Sequence, residues 1–417
     1  MAIDSRLLPM ALYGVKYGAT CDSSNNTNHS GILRGAAFLS NPGTLGVSGF
    51  CILIFTLLSL LLLHIISALA MITFLQSISG TYFSSGIPDV EFSIGGYRAA
   101  VTMAVDGSTI FSEHLYPTGG KVCIAELDRL VSPYARRSLK VSLVIKVVEQ
   151  AEGSEAAISS KSLSADIIYC SADIGTTAAS FASTRFLTLL ESKTTALNRL
   201  EYLHYIGTES ATATAEYCDG TKRVFNLKPV AGNSIYTTLD VSPKQFASSS
   251  CSLSCLFVQA GKRQFRFAID LDDPDCAPVL VFDNSFGVEE LLYCTGTHTV
   301  APSYKRDSGY IGKFCRNYNI QETRSFKADT GILSFAMANW ADELFRSESV
   351  HVVNFNGGVA NVGKEVIITD SKSEYSNEAD ELPRFTFTYQ YAQRNHNVVD
   401  VLRPGRIFDN TFDNTFE

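Results

Sequence analysis

At 417 residues, with 46% hydrophobic and 18% charged side chains, the chain is long enough for two or three domains and too apolar for wholesale disorder. A net charge of −8 without a dense Lys/Arg cluster argues against a phosphate-tracking surface, so nucleic acid is not an expected partner. Ten cysteines, none in a CxxC pair, define neither a zinc site nor a small disulfide framework; free, mostly buried thiols are expected.

No charged residue occurs between Arg34 and Asp89. Residues 1–49 show no sustained periodicity and are rich in Gly, Ser and Asn. They precede an apolar run, residues 50–75, whose length suits a helix crossing a bilayer core. Three readings stand side by side. The run can anchor the chain in a membrane, which is the only route by which a membrane enters as a partner. It can end as a cleaved signal at Ala68-Leu69-Ala70. Or the working start is Met71, and the first seventy residues lie upstream of it.

From Val90 onward the pattern is of β type. Residues 101–105 and 108–115 flank Asp106-Gly107, the pair a tight primed turn demands, and predict a hairpin. Residues 124–131 read as a short helix or a crossing loop, and residues 139–148 as a β-branched strand. Residues 88–150 thus form a sandwich-like module, and the Ser/Ala/Glu/Lys stretch 150–164 reads as a linker. Residues 165–276 form a second β domain. There 212–218 and 222–227 repeat the strand–Asp-Gly–strand device at Asp219-Gly220, and 235–241 and 264–269 alternate cleanly. Residues 186–206 fit either a helix or strands. The densest basic stretch, Lys262-Arg263 with Arg266, sits in a strand-like run. Residues 278–405 read as an α+β domain: a strand at 279–282, several Tyr- and Thr-rich strands over 289–330, a helix over 331–346 around Trp340, and strands at 350–353, 365–369 and 384–391. The expected fold class is therefore mainly β, with antiparallel sandwich-like modules, an α+β C-terminal domain and one N-terminal hydrophobic helix.

Phe282-Asp-Asn-Ser-Phe286 recurs as Phe408-Asp-Asn-Thr-Phe412 and, overlapping, as Phe412-Asp-Asn-Thr-Phe416 within the tail 406–417. Asp-Asn favours a turn, and the flanking rings can dock on the chain's own domain or on a neighbouring subunit. Phe408, Phe412 and Phe416 are the candidate interaction residues. Asp270, Asp272, Asp273 and Asp275 gather four carboxylates, but lack the glycine and closing glutamate of a helix–loop–helix calcium site, so an acidic turn is expected. There is no HExxH, no G-x-S-x-G and no phosphate loop: Gly95-Gly96 and Gly357-Gly358 lack the following Lys-Ser/Thr. The expectation is a non-enzymatic protein with no catalytic, cofactor or metal residues.

The order Met71-Ile-Thr-Phe-Leu-Gln76, the Asp-Gly hairpin and the closing Gly405-Arg-Ile-Phe-Asp-Asn-Thr-Phe412 resembles uncharacterised structural proteins encoded in the tail regions of phages and prophages of Bacteroidales. The Trp340 helix followed by 350–353 and 384–393 is similar to the C-terminal domain of that group. The resemblance covers residues 71–417. It implies a multi-copy virion component at the distal tail or baseplate, with copies of itself and other tail proteins as partners. A membrane-anchored surface protein binding glycan or a protein is the alternative.

Overall fold

The computed structural model describes residues 72–356, 359–374 and 381–392. Among these the fold is mainly β, in antiparallel sandwich-like modules with a C-terminal α+β region. No helix among the described residues is long and apolar enough to cross a membrane. The apolar run lies outside them except at its end, where Thr73–Gln76 is a strand rather than helix.

The first module comprises β1 (Thr73–Gln76), β2 (Gly80–Phe83), β3 (Val90–Ser93), β4 (Arg98–Val105), β5 (Ser108–Leu115), β6 (Lys121–Ile124), helix α1 (Leu127–Ser138), β7 (Lys140–Gln150) and β8 (Ala157–Ile168). A three-stranded sheet, β1-β3-β6, and a five-stranded one, β2-β8-β7-β4-β5, enclose Val90, Phe92, Val101, Met103, Leu143 and Ile145. The inward residues of β4 and β7 alternate with outward ones, as a half-buried pleat requires. The core also takes in Ile72, Ile78, Ala165 and Ile167, beyond the span 88–150. The stretch read as a linker is instead hairpin. β7 runs to Gln150 and β8 pairs with it from Ala157. The outer half of β8 is exposed Ser and Lys, held by its main-chain ladder, so its composition imitates a linker. Of residues 124–131, Ile124 ends β6 and Leu127 begins a helix, α1, that continues to Ser138. It buries Leu127, Val131 and Ala135 on one face, with Pro133 inside it. That proline removes one helical donor and hides the second half of the helix from a sequence reading.

The second region comprises α2 (Ala178–Thr184), β9 (Ser192–Ala196), β10 (Tyr202–Ile206), β11 (Ala211–Tyr217), β12 (Lys222–Leu227), β13 (Pro229–Gly232), β14 (Tyr236–Asp240), β15 (Leu253–Ala260) and β16 (Arg263–Asp270). Strands win over helix in 186–206. The five-stranded sheet runs β12-β11-β15-β16-β9, with β9 parallel to β16, beside the small sheet β10-β14-β13.

The third region comprises β17 (Val279–Asp283), β18 (Glu289–Tyr293), β19 (Thr299–Ile311), β20 (Phe314–Asp329), α3 (Phe335–Ala341), α4 (Glu343–Arg346), β21 (Val350–Asn356), β22 (Val359–Lys372) and β23 (Thr386–Tyr391). The strands form a seven-stranded sheet, β18-β17-β21-β22-β23-β20-β19. The helix expected over 331–346 starts later, capped by the Ser334 side chain, and breaks at Asp342. Its Trp340 is buried in a core that joins Tyr205, Leu239, Leu256 and Phe267 of the second region to Leu280, Phe282 and Phe387 of the third. A further cluster, with Phe83, Leu139 and Ile168 from the first module and Phe181, Phe286 and Val288 from beyond it, links that module to the rest.

Candidate functional site: a projecting aromatic hairpin

β19 and β20 pair along their whole length, from Thr299 opposite Lys327 to Ile311 opposite Phe314. Only the base of the ribbon is embedded in the sheet. β23 pairs with β20 from Ser325 to Asp329, and no described strand pairs with residues 303–323 other than these two with each other. About nine residues of each strand therefore project, a reach of roughly 30 Å at the rise of a β-strand. The turn is Gly312-Lys313, with Gly312 at a φ of 64°, the residue a two-residue hairpin loop of this kind requires. The register shifts between Asp307, opposite Asn319, and Ser308, opposite Asn317, so Tyr318 is the extra residue of a bulge in β20.

The tip is apolar and open: Tyr310, Ile311, Phe314 and Tyr318 are 82%, 68%, 70% and 75% exposed. Tyr304 and Ile320 are exposed lower on the ribbon, with the Arg306 guanidinium 4.9 Å from the Tyr304 ring centre. Lys305, Arg306, Lys313 and Arg316 stand against Asp307 and Glu322, so the ribbon is basic while the chain is acidic. Leaving four large apolar side chains in water at one tip is unfavourable unless another surface covers them. The sequence reading missed these residues, although Gly312-Lys313 between Tyr- and Ile-containing runs is a legible hairpin signal.

A second group of functional residue types is buried. Lys193 Nζ lies 2.8 Å from Glu201 Oε2, donates to the Leu291 carbonyl at 2.9 Å, and sits 4.7 Å from the Trp340 ring centre. Thr195 Oγ1 donates to the other Glu201 oxygen at 2.7 Å. Trp340 Nε1 and Asn284 Nδ2 donate to the two oxygens of Glu290. Burial, with the neighbouring Glu343 carboxylate, pushes Glu290 up to about 7 against the pull of Lys193. Lys193, Thr195, Glu201, Asn284, Glu290 and Trp340 each have a protein partner, while Glu343 Oε2 has none among the described residues. The paired groups tie the strands together.

The first copy of the repeat is a docked turn. Asn284 Oδ1 accepts from the N–H of Phe286 and of Val288, while Phe282 and Phe286 are each 1% exposed. The other copies, with Phe408, Phe412 and Phe416, lie outside the described residues, as does Gly357-Gly358. In the acidic stretch, Asp270 Oδ1 accepts from the Asp272 N–H and Asp273 Oδ2 from Asn198 Nδ2. Among the described residues no three His, Cys, Asp or Glu side chains gather so as to hold a metal ion. The eight described cysteines are free, but only Cys170 and Cys294 are buried; Cys123, Cys218 and Cys315 are exposed, which corrects the expectation of mostly buried thiols.

The fold places the protein among β-rich, sandwich-like modular proteins. No family model and no curated protein matches the chain. Among solved structures it is similar to Rst D1-D2, at 7% identity and a TM-score of 0.21, over 48% of this chain and 99% of that one. It is also similar to the I9-I11 tandem of titin, at 8% identity and 0.16, over 78% and 91%. The titin domains I67-I69, described as a 3Ig structure, match at 12% identity and 0.18, over 62% and 93%. Scores this low carry no argument about arrangement or function.

Proposed function

We propose that the protein is a non-enzymatic structural component that works through contacts between subunits, of the kind found in a phage or prophage tail. The observation that carries the subunit-contact reading is the projecting hairpin with its open tip at Tyr310, Ile311, Phe314 and Tyr318. A ribbon that reaches about 30 Å beyond its sheet and ends in aromatic side chains suits insertion into a neighbour. Phe408, Phe412 and Phe416 repeat the Phe-Asp-Asn-x-Phe turn that docks at 282–286, and would supply a second contact of the same type. The tail assignment rests on the sequence resemblance, and the virion is the location it implies.

Mass photometry of the full chain at micromolar concentration tests this. The wild type is expected to form discrete multimers, and the variant Tyr310→Ser/Phe314→Ser to remain monomeric with an unchanged melting temperature. A strictly monomeric wild type that never co-purifies with particles would overturn the reading. The apolar run at 50–75 favours one competing reading, a membrane-anchored surface protein in the cell envelope. Recovery of the full-length chain in the membrane fraction would support that alternative.

A further inference from the structure

The basic stretch singled out in the sequence divides on folding. Arg263 turns inward: it is 3% exposed and donates to the carbonyls of Ala182 and Ile206. Lys262 and Arg266 face outward and, with Arg185, line a cleft of about 510 Å³ on the outer face of the β11-β15-β16-β9 sheet. That volume falls in the range of small-molecule sites, roughly 300–1,000 Å³. Directly paired residues share a face, so the floor reads across the strands. Thr214 lies opposite Phe257, Phe257 opposite Arg266, and Gln259 opposite Gln264. The Arg266 guanidinium lies 5.5 Å from the Phe257 ring centre, and the ring is 39% exposed.

We propose that this face binds an acidic glycan, with a sugar carboxylate seated between Arg185 and Arg266 and with Lys262 at the β15–β16 turn. Three observations favour that ligand. Three cations line the cleft against one carboxylate, Glu191, in a chain whose net charge is −8. Glu191 already shows how the site takes a carboxylate: its Oε1 lies 2.5 Å from Arg185, yet its side chain is 71% exposed and free to swing aside. The remaining polar lining, Thr214, Gln259 and Gln264, offers the hydroxyl and amide groups that pair with sugar hydroxyls, and Phe257 offers an apolar face for the ring. An acidic peptide fits less well. β15 and β16 are each paired on both sides, so no free main-chain edge is present for strand addition.

This inference is independent of the hairpin. Calorimetric titration of the full chain with sialyllactose and with an oligoglucuronate, against lactose and an oligoglutamate peptide, tests it. At least one acidic sugar is expected to bind about tenfold more tightly than lactose, the factor that about 1.4 kcal/mol of charge-assisted hydrogen bonding to two guanidinium groups together would supply. Binding should weaken with salt and be lost in Arg266→Ala. Lys262→Glu, on an exposed turn, should weaken it without change in melting temperature, while Glu191→Gln should tighten it. Equal binding of lactose, equal or tighter binding of oligoglutamate, no binding of either acidic sugar, or full retention in Lys262→Glu would each overturn the proposal. The hairpin-tip variant should bind the sugar as the wild type does.

Discussion

Lys193 and Glu201 carry opposite charges out of water together, with side chains 8% and 4% exposed. Removing one partner leaves the other charged and uncompensated. Lys193→Ala is therefore expected to cost about 3–5 kcal/mol, read by urea denaturation. Glu290 adds a pH dependence of known sign. Its folded value of about 7 lies above that of an unfolded carboxylate, so the folded state holds the proton more tightly. Its contribution is fully present below the unfolded value of about 4.3 and is lost as pH rises through 7. His204, pushed down to about 4 by burial, has the opposite sign: stability falls as pH drops from the ordinary imidazole range through 4. Glu290→Gln isolates the first effect. The stability difference between wild type and variant should shift against the wild type between pH 5 and 8, by on the order of 3 kcal/mol at most, in melts across that range. None of this was legible in the sequence, because Lys193, Glu290 and Trp340 meet only in space. The turn at Phe282–Phe286 was legible, because Asn284 closes it locally with its own side chain.

Hairpins are the elements that the sequence announces most clearly. Asp106 and Gly107 have φ of 48° and 81°, and Asp106 Oδ1 accepts from the Ser142 N–H at 2.8 Å, which ties the turn to β7. The second Asp-Gly pair closes differently: Gly220 donates to the Tyr217 carbonyl at 2.9 Å and alone takes a positive φ, 81°. The same dipeptide thus serves two loop lengths, and periodicity cannot separate them. A Cβ at Gly107 would meet no atom, so Gly107→Ala should cost only the left-handed backbone strain, about 1–2 kcal/mol, in chemical denaturation. β8 was unreadable for the opposite reason. Its outer half carries no apolar alternation, and only its pairing with β7 makes it a strand.

Across the whole molecule, Phe286 sits where the parts meet. It stacks on Phe181 at 4.8 Å and lies 6.3 Å from Phe83 of the first module. Arg136 of α1 reaches Glu348 and Asp283 on the same side, but these are half-exposed pairs worth little on their own. Coupling therefore depends on the aromatic cluster. Phe286→Ala should cost about 3–5 kcal/mol and split a single calorimetric transition into two, as the modules lose their shared core. That junction joins residues some two hundred positions apart, so composition along the chain gives no sign of it.

The projecting hairpin has one more consequence, for what happens when it finds no partner. Among the described residues no strand pairs with the outer edge of β19, and a bare strand edge beside exposed aromatics is a template on which further strands can stack into fibrils. The ribbon carries its own brakes: Pro302 lacks an N–H, Lys305 and Arg306 repel an identical edge, and the bulge at Tyr318 of β20 breaks the flat register. Replacing Lys305 and Arg306 with threonine should leave the melting temperature unchanged yet turn concentrated solutions thioflavin-positive within days. Persistent solubility of that variant would show that the bulge and the proline suffice.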